Sequence, residues 1–418
     1  MASLSRIVEY RPTRLVVLAT HLGLALASLG LWVVAYTQGL SWRADFTAFY
    51  TGWTLVMDGE GRSLYDYGLQ ASTQQRILEG RHLAGGLLAF NYPPHVALLF
   101  APLSNLELGQ AYIVWTMLQV GLLVCVCRVL WRHLSQEGVG TSTRWLVVSA
   151  VLALPFVGST LLLGAFSILL LLCVLGFVLA VRRGDARSAG LWVVLMTLKP
   201  QVAFLPAFTL IVSRRWKAVG VLACGGLLIF ALTSLCLGGQ IWISFAKALL
   251  TTLNADVSLG VAPSAMYNLR GLCETLLGNR FTAVANTVGL LGFLVSVILT
   301  LWLWSGAEPR CSDFDLRMSM TLLLGIFLNL HVNPQDGLLL VVPAMLFWHY
   351  LRRVGRHSQL FGGIALVCPV IFWVTERFIS APMLGLRSPV VVMIALGIWM
   401  LHESVHAAHT RHAEIDIA

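Results

Sequence analysis

The chain has 418 residues, 58% of them hydrophobic and only 11% charged, with a mean hydropathy of +0.80. A soluble domain runs at roughly 45–50% apolar and about 25% charged, which excludes a soluble enzyme, a disordered chain and a nucleic-acid-binding domain. The composition is that of an all-α, polytopic membrane protein, and the net charge of +9 has to be read in that setting.

Residues 1–14 are mixed polar and basic, and the apolar run after them lacks a small-residue cleavage site. It reads as a first membrane helix rather than a removable signal. A transmembrane helix needs about 20 apolar residues. Runs near that length lie at about 15–36, 108–131, 161–181, 218–237, 283–304, 360–376 and 388–404. Shorter or interrupted runs lie at 95–103, 145–157, 188–198, 200–212, 318–330 and 338–350. Together they predict a bundle of roughly 10–13 full and partial spans in a single membrane domain over 1–418.

Placing the basic clusters in the cytoplasm gives a consistent alternation. The inner side takes Arg6, Arg11 and Arg14, then Arg128, Arg132 and Arg144, then Arg182, Arg183 and Arg187. Arg214, Arg215 and Lys217 follow, with Arg310, Arg317, Arg352, Arg353, Arg356 and Arg411 beyond them. That is 18 of the 28 basic residues but only nine of the 19 acidic ones, so topology alone accounts for the positive excess. Both termini are then expected inside, with a cytoplasmic tail at 405–418 and long outer loops at 37–94 and 238–282. Within the first loop, Phe46, Phe49, Tyr50 and Trp53 recur at helical spacing. Such a helix suits a membrane interface, its rings at headgroup level. Most of the eight cysteines fall inside apolar segments without a Cys-x-x-Cys pair, so neither a disulfide framework nor a zinc site is expected.

The informative positions are polar residues where hydrocarbon is cheaper. Asp45, in Arg43-Ala44-Asp45-Phe46, is the first acid after helix 1, and either caps the next helix or acts as a catalytic base. Phe90-Asn91-Tyr92-Pro93-Pro94-His95 opens the run at 95. Its prolines read as a rigid helix start, while Tyr92 and His95 remain able to line a pocket. Thr197-Leu198-Lys199-Pro200-Gln201 interrupts a stretch flanked on both sides by inner arginines. The 25 residues of 188–212 cannot cross twice at about 1.5 Å per residue. They predict a re-entrant pair turning at Lys199-Pro200, with the ammonium either in a polar cavity or snorkelling from a helix end. A fourth break runs from Asn329 through His331, Asn333, Pro334 and Gln335 to Asp336, and its flanks place the tip outside. His331 there is either a satisfied interface residue or part of a site. A fifth cluster, Ser264 to Arg270, lies in the second outer loop. Walker, dinucleotide, EF-hand and G-x-S-x-G patterns are absent from the sequence.

In order, these clusters form a recognisable pattern. Asp45, Phe46, Phe49 and Tyr50 are followed by Leu64-Tyr65-Asp66, then Tyr92-Pro93-Pro94 with Pro102-Leu103. Gly190 and Lys199-Pro200-Gln201 precede Arg214-Arg215-Trp216, and Tyr267-Asn268-Leu269-Arg270-Gly271 precedes the polar tip with Asp336 and Pro343. The chain resembles glycosyltransferase family 87, a branch of the GT-C membrane glycosyltransferases. Each motif is loose but their order is specific, and the match covers nearly the whole chain. One departure is Gly164-Ala165-Phe166-Ser167, where relatives often carry Gly-Gln. The resemblance implies a GT-C-like bundle and transfer of mannose or arabinofuranose from a polyprenyl-phosphate donor. It also implies an Asp after helix 1 as base, matched by Asp45, and a His near the later hairpin at the donor phosphate, matched regionally by His331.

An outward-facing transferase needs a lipid-delivered sugar, because nucleotide-sugars are cytoplasmic. The expected partners are therefore a polyprenyl-phosphate-sugar donor, a glycolipid or polysaccharide acceptor and membrane lipids, with no nucleic acid. Asp45 takes the acceptor proton; Lys199, Arg270 and His331 hold the phosphate. Tyr92, Asn91, Asn268 and Asn333 suit sugar hydroxyls, Trp53 or Tyr50 a sugar face, and His95, Gln201 and Asp336 complete the substrate set. A single base favours inversion. Asp45, Asp66, Asp336 and His331 are all metal-ligand types, but without an Asp-x-Asp cluster the expectation is no metal and no cofactor. A lipid or lipid-linked-sugar flippase is the competing class, since transporters also use broken helices with midplane polar groups; a scaffold subunit is a third.

Overall fold

The computed structural model describes residues 11–39, 45–79, 86–254, 263–305, 311–378 and 387–416. Arg43 and Ala44 of the first polar break, with Arg6 and Arg310, lie outside the described residues. The chain is an all-α polytopic membrane protein. Six helices are long and apolar enough to cross a bilayer. They are α1 (Arg11–Thr37), α5 (Leu108–Gln136), α11 (Trp216–Leu237), α14 (Thr282–Trp304), α17 (Ser358–Phe378) and α18 (Ser388–Asp416). The last continues as helix well into the segment expected to be a tail.

Between these lie shorter helices. The first long loop folds into α2 (Asp45–Met57) and α3 (Tyr67–Ile77), and α4 (Pro94–Phe100) starts at the proline pair. α6 (Thr141–Ala153) and α7 (Pro155–Leu163) meet at a 44° bend. α8 (Ser167–Arg182), α9 (Ala186–Met196) and α10 (Pro200–Val212) follow, α9 and α10 turning at Lys199-Pro200. At about 1.5 Å per residue, neither α9 nor α10 is long enough for a roughly 30 Å hydrocarbon core. The second long loop contains α12 (Ile241–Asn254) and α13 (Leu269–Leu277). α15 (Cys311–Phe327) then runs to the polar tip, whose 3-10 turn Pro334–Leu340 leads straight into α16 (Val341–Arg353).

α8 is apolar on every side and buried over most of its length, which makes it the axis of the bundle. Glycines bring its neighbours close. A Cβ on Gly176 would lie 2.3 Å from Trp192 on α9, and one on Gly190 would lie 2.6 Å from the Ala218 carbonyl on α11. This is how small residues let membrane helices pack.

Hydropathy runs unbroken through 161–181, but the structure breaks there. Gly164 ends α7 with φ +69°, and a Cβ on it would meet Phe46 at 2.7 Å. The carbonyls freed by the break are satisfied by one face of α5. Tyr112 Oη donates to Leu161 and Leu162, Trp115 Nε1 to Gly164 at 2.8 Å and Gln119 Nε2 to Ala165 at 2.6 Å. Irregular backbone is thus buried in protein rather than offered to lipid.

The aromatic stripe of α2 also differs from expectation. Instead of sitting among headgroups, it turns inward. Phe46, Phe49 and Trp53 are fully buried, and Phe49 packs on Phe166 of the α7–α8 turn at 4.7 Å. Trp53 lies 5.5 Å from Trp115. Burying three large rings outweighs an interfacial position, and it docks α2, with Asp45 at its start, onto the α7–α8 break.

At the opposite end of α8, Arg182 Nη2 lies 3.2 Å from Glu137 and 3.4 Å from Asp315, while Arg353 reaches Asp315 at 2.8 Å and Glu137 at 2.9 Å. This ring of two guanidiniums and two carboxylates ties α5, α8, α15 and α16 together.

Candidate active site

The polar tip and the α7–α8 break meet at the start of α8. Asn333 caps the 3-10 turn, and its backbone N–H donates to Asp336 Oδ2 at 2.9 Å in a reciprocal capping box. Asp336 is buried, and two further groups hold it. Ser167 Oγ donates to its Oδ1 at 2.9 Å, and the Lys199 ammonium pairs with its Oδ2. Lys199 itself sits at the turn between α9 and α10, buried at 4% exposure, where an uncompensated charge would be costly. The two breaks therefore neutralise one another across the bundle.

With Asp336 fixed on both sides, the backbone of Gln335 is fixed as well. Its side chain is buried and Nε2 donates to Asp45 Oδ2 at 2.8 Å. Asp45 opens α2 and is only half-buried. Its Oδ1 has no protein partner among the described residues. Burial pushes the Asp45 carboxyl up to about 6; Lys199 pulls it down, Asp336 adds to the rise and the Gln335 hydrogen bond opposes it. Such a carboxylate is ionised at neutral pH yet basic enough to accept a proton.

Tyr92 and His331 share this environment. The Tyr92 ring packs on Phe49 at 4.6 Å; burial keeps its hydroxyl neutral, and Asp45 and Asp336 add to that effect. His331 lies on the tip. Burial holds its imidazole down at about 4, Lys199 reinforcing this, Asp336 opposing it and Arg270 acting as a further cation. The neutral ring can donate or accept a hydrogen bond.

The second long loop docks on the same tip. Tyr267 N–H donates to the Val332 carbonyl at 3.1 Å. Asn268 caps α13 by accepting from Gly271 N–H at 2.7 Å, and donates through Nδ2 to the Asn329 carbonyl at 2.9 Å. Gly271 tolerates no side chain, because a Cβ would sit 2.4 Å from the Met266 carbonyl. Asn329 Nδ2 in turn donates to the Gln201 carbonyl at 2.8 Å. Arg270 is buried beneath, against Gly289 of α14.

The structure thus gathers Asp45, Tyr92, Lys199, His331, Asn333 and Asp336, with Arg270, Asn268 and Gln201 in the supporting layer. Other expected residues lie elsewhere. Tyr50 donates to the Leu106 carbonyl at 2.6 Å and Trp53 is enclosed by aromatic rings, so neither presents a face to a sugar here. Asn91 accepts from Tyr67 Oη at 3.1 Å. His95 stacks on Trp242 of α12 at 6.3 Å, with both ring nitrogens buried and without partners among the described residues. Two residues outside the expected set belong to the site, Gln335 and Ser167. The signal for Gln335 was the polar density of the tip; Ser167 stands in the segment that departs from the family pattern.

A sequence profile described as glycosyltransferase family 87 matches residues 90–334, more than half of the chain. The chain belongs to glycosyltransferase family 87. The family's matched span contains Tyr92, Lys199, Arg270 and His331; Asp45 precedes it, while Gln335 and Asp336 follow directly. A curated relative from Mycolicibacterium smegmatis (strain ATCC 700084 / mc(2)155) is 29% identical over 303 residues, 67% of this chain and 66% of its own length. It is named polyprenol-phosphate-mannose-dependent alpha-(1-2)-phosphatidylinositol pentamannoside mannosyltransferase. For a family 87 chain, the arrangement pairs one available carboxylate oxygen with a neighbouring group of cations and an imidazole. That is what proton removal at one atom and anion stabilisation at another require.

Proposed function

We propose that this family 87 protein transfers a sugar from a polyprenyl-phosphate donor to a hydroxyl of a lipid or polysaccharide acceptor on the extracytoplasmic side of the cell membrane. The acceptor oxygen attacks the anomeric carbon while the bond from that carbon to the phosphate oxygen breaks. Polyprenyl phosphate leaves with the bonding electron pair, and the acceptor proton passes to Asp45. Attack opposite the leaving group inverts the anomeric centre. His331 and Arg270 stabilise the departing phosphate, and Lys199, while paired to Asp336, adds its positive field. Tyr92, Asn333 and Gln201 remain the candidates for sugar hydroxyls.

The observation that carries this reading is the Asp45 carboxylate, held through one oxygen by Gln335 and close to a His331–Lys199–Arg270 group. The relative's name makes mannose the first sugar to try. An outward site is supported by the arginine-rich segments, which alternate with it along the chain and include the Arg182 and Arg353 ring at the far end of α8.

The test is to incubate purified protein in lipid with polyprenyl-phosphate mannose and a phosphatidylinositol mannoside, and to follow release of polyprenyl phosphate. Release coupled to a new glycoside is expected, and Asp45→Asn should lower it at least about a thousandfold, the upper part of the range for general-base removal. Movement of intact donor across the bilayer without cleavage would instead establish a flippase. Near wild-type turnover in a folded Asp45→Asn variant would remove the base assignment.

A further inference from the structure

One buried charge beside the polar tip takes no part in the chemistry described above. Glu274 stands four residues after Arg270 on α13, a spacing that puts both side chains on one helix face. Both are buried, at 4% and 2% exposure, and that face packs on α14. A Cβ on Gly289 of α14 would lie 3.0 Å from the Arg270 Cβ, and Thr282, the first residue of α14, donates through Oγ1 to Glu274 Oε1 at 2.7 Å. The carboxylate is thus held at the positive end of the α14 dipole. Its Oε2 is buried and has no hydrogen-bond partner among the described residues. Burial pushes the Arg270 guanidinium down, and the Glu274 charge opposes that shift.

The arrangement repeats a pattern. Lys199 and Arg270 are the two cations that act on His331, and each has a buried carboxylate of its own, Asp336 for the first and Glu274 for the second. With Asp45 ionised, two cations face three carboxylates before any ligand arrives. Unmatched cations would grip a phosphate tightly and retain the product. A fixed carboxylate beside Arg270 instead competes with the phosphate for the field of the guanidinium. We propose that Glu274 is a positioning residue that sets how tightly the site holds phosphate, drawing on Arg270 so that polyprenyl phosphate is released after transfer. Thr282 tempers this competitor, because its hydroxyl holds the other carboxylate oxygen toward α14. The inference rests on the transferase reading for the place of Arg270 beside the donor phosphate.

The experiment uses the full chain in nanodiscs and measures binding and dissociation of tritiated, sugar-free polyprenyl phosphate, with a thermal melt of each variant. Glu274→Gln keeps the shape and the Thr282 hydrogen bond but removes the charge. It should tighten binding on the order of tenfold, mostly through slower dissociation. Thr282→Val frees the carboxylate toward Arg270 and should weaken binding about threefold, the lower part of what one hydrogen bond is worth. That opposite sign carries the test if Glu274→Gln does not fold. Arg270→Gln should weaken binding about tenfold, and in its presence Glu274→Gln should no longer tighten it. Unchanged affinity in a folded Glu274→Gln protein, tightening that persists without Arg270, or unchanged or tighter binding in Thr282→Val would each overturn the proposal. Because the ligand carries no sugar, the two readings fail separately. Binding lost with Arg270→Gln but indifferent to Glu274→Gln would keep the donor site and sink the role of Glu274. All the expected shifts without any sugar transfer would do the reverse, and a wild-type protein that binds no polyprenyl phosphate would remove both.

Discussion

At the scale of single residues, the site is a division of labour between two neighbouring side chains on the polar tip. Asp336 is consumed by structure, with Lys199, Ser167 and the Asn333 N–H around it, whereas Gln335 reaches out to Asp45. The Asp45 carboxyl titrates at about 6, and only its ionised form can take a proton. Turnover should therefore be flat above neutrality and fall about tenfold per unit as the pH drops below 6. A pH–rate profile of kcat with saturating donor checks this. Gln335 donates to the ionised form and holds the pKa down, so Gln335→Met should move the acid limb to higher pH. It should also lower kcat on the order of ten- to a hundredfold through misplacement of the base, with KM little changed. A substitution that merely loosened the fold would lower active enzyme without moving the limb. Asp45 and Lys199 could be singled out from sequence because an acid after a span and an ammonium in an apolar run are both conspicuous. Gln335 could not, since its partner lies 290 residues away and an amide in a polar cluster has no distinguishing mark.

At the scale of elements, short broken helices build the site and long ones only surround it. The α9–α10 turn was legible from chain length alone, because its 25 residues are too few for two crossings. The α7–α8 break was not, because hydropathy continues through it. What breaks it is the left-handed backbone at Gly164 together with donors on α5, and those donors cannot be foreseen without the packing. The aromatic spacing of α2 correctly suggested a helix, but periodicity does not tell protein from headgroup, and the helix is buried. Gly164→Ala should lower stability by about 1–3 kcal/mol, the cost of a strained left-handed residue, and a thermal melt in detergent measures it. The Lys199–Asp336 pair gives a sharper test. Lys199→Met leaves a buried carboxylate without its counter-charge and should destabilise by about 3–5 kcal/mol. Adding Asp336→Leu removes the orphan charge, so the double variant should recover most of that loss in the same melt while remaining poor in turnover. A double variant less stable than the single would contradict the pairing.

At the scale of the whole molecule, two groups of linked charges occupy the two ends of α8. One is the site around Ser167; the other is the ring of Arg182, Arg353, Glu137 and Asp315. The all-α membrane architecture and the separation of basic clusters from the polar breaks could be read from composition and spacing. That four of those charges close a ring could not, because ion pairs between distant helices leave no local pattern. Asp315→Ala should leave Arg182 and Arg353 with a single carboxylate between them and lower the melting temperature. The site is at the other end of the axial helix, so turnover below that melting point should stay near wild type. Loss of activity in a fully folded Asp315→Ala protein would show that the two ends communicate.

The axial position of α8 has a consequence for traffic through the protein. A carrier that exposes its cargo alternately to either face must part down the middle. Here the middle is a solid helix, riveted by Asp336 near its first residue and by the ionic ring at its last, with Trp192 pressed against Gly176 between them. Parting it would strand buried charges at both rivets in one motion. Substrates must therefore come and go around the rim, and products must depart on the side from which the reacting groups are reached.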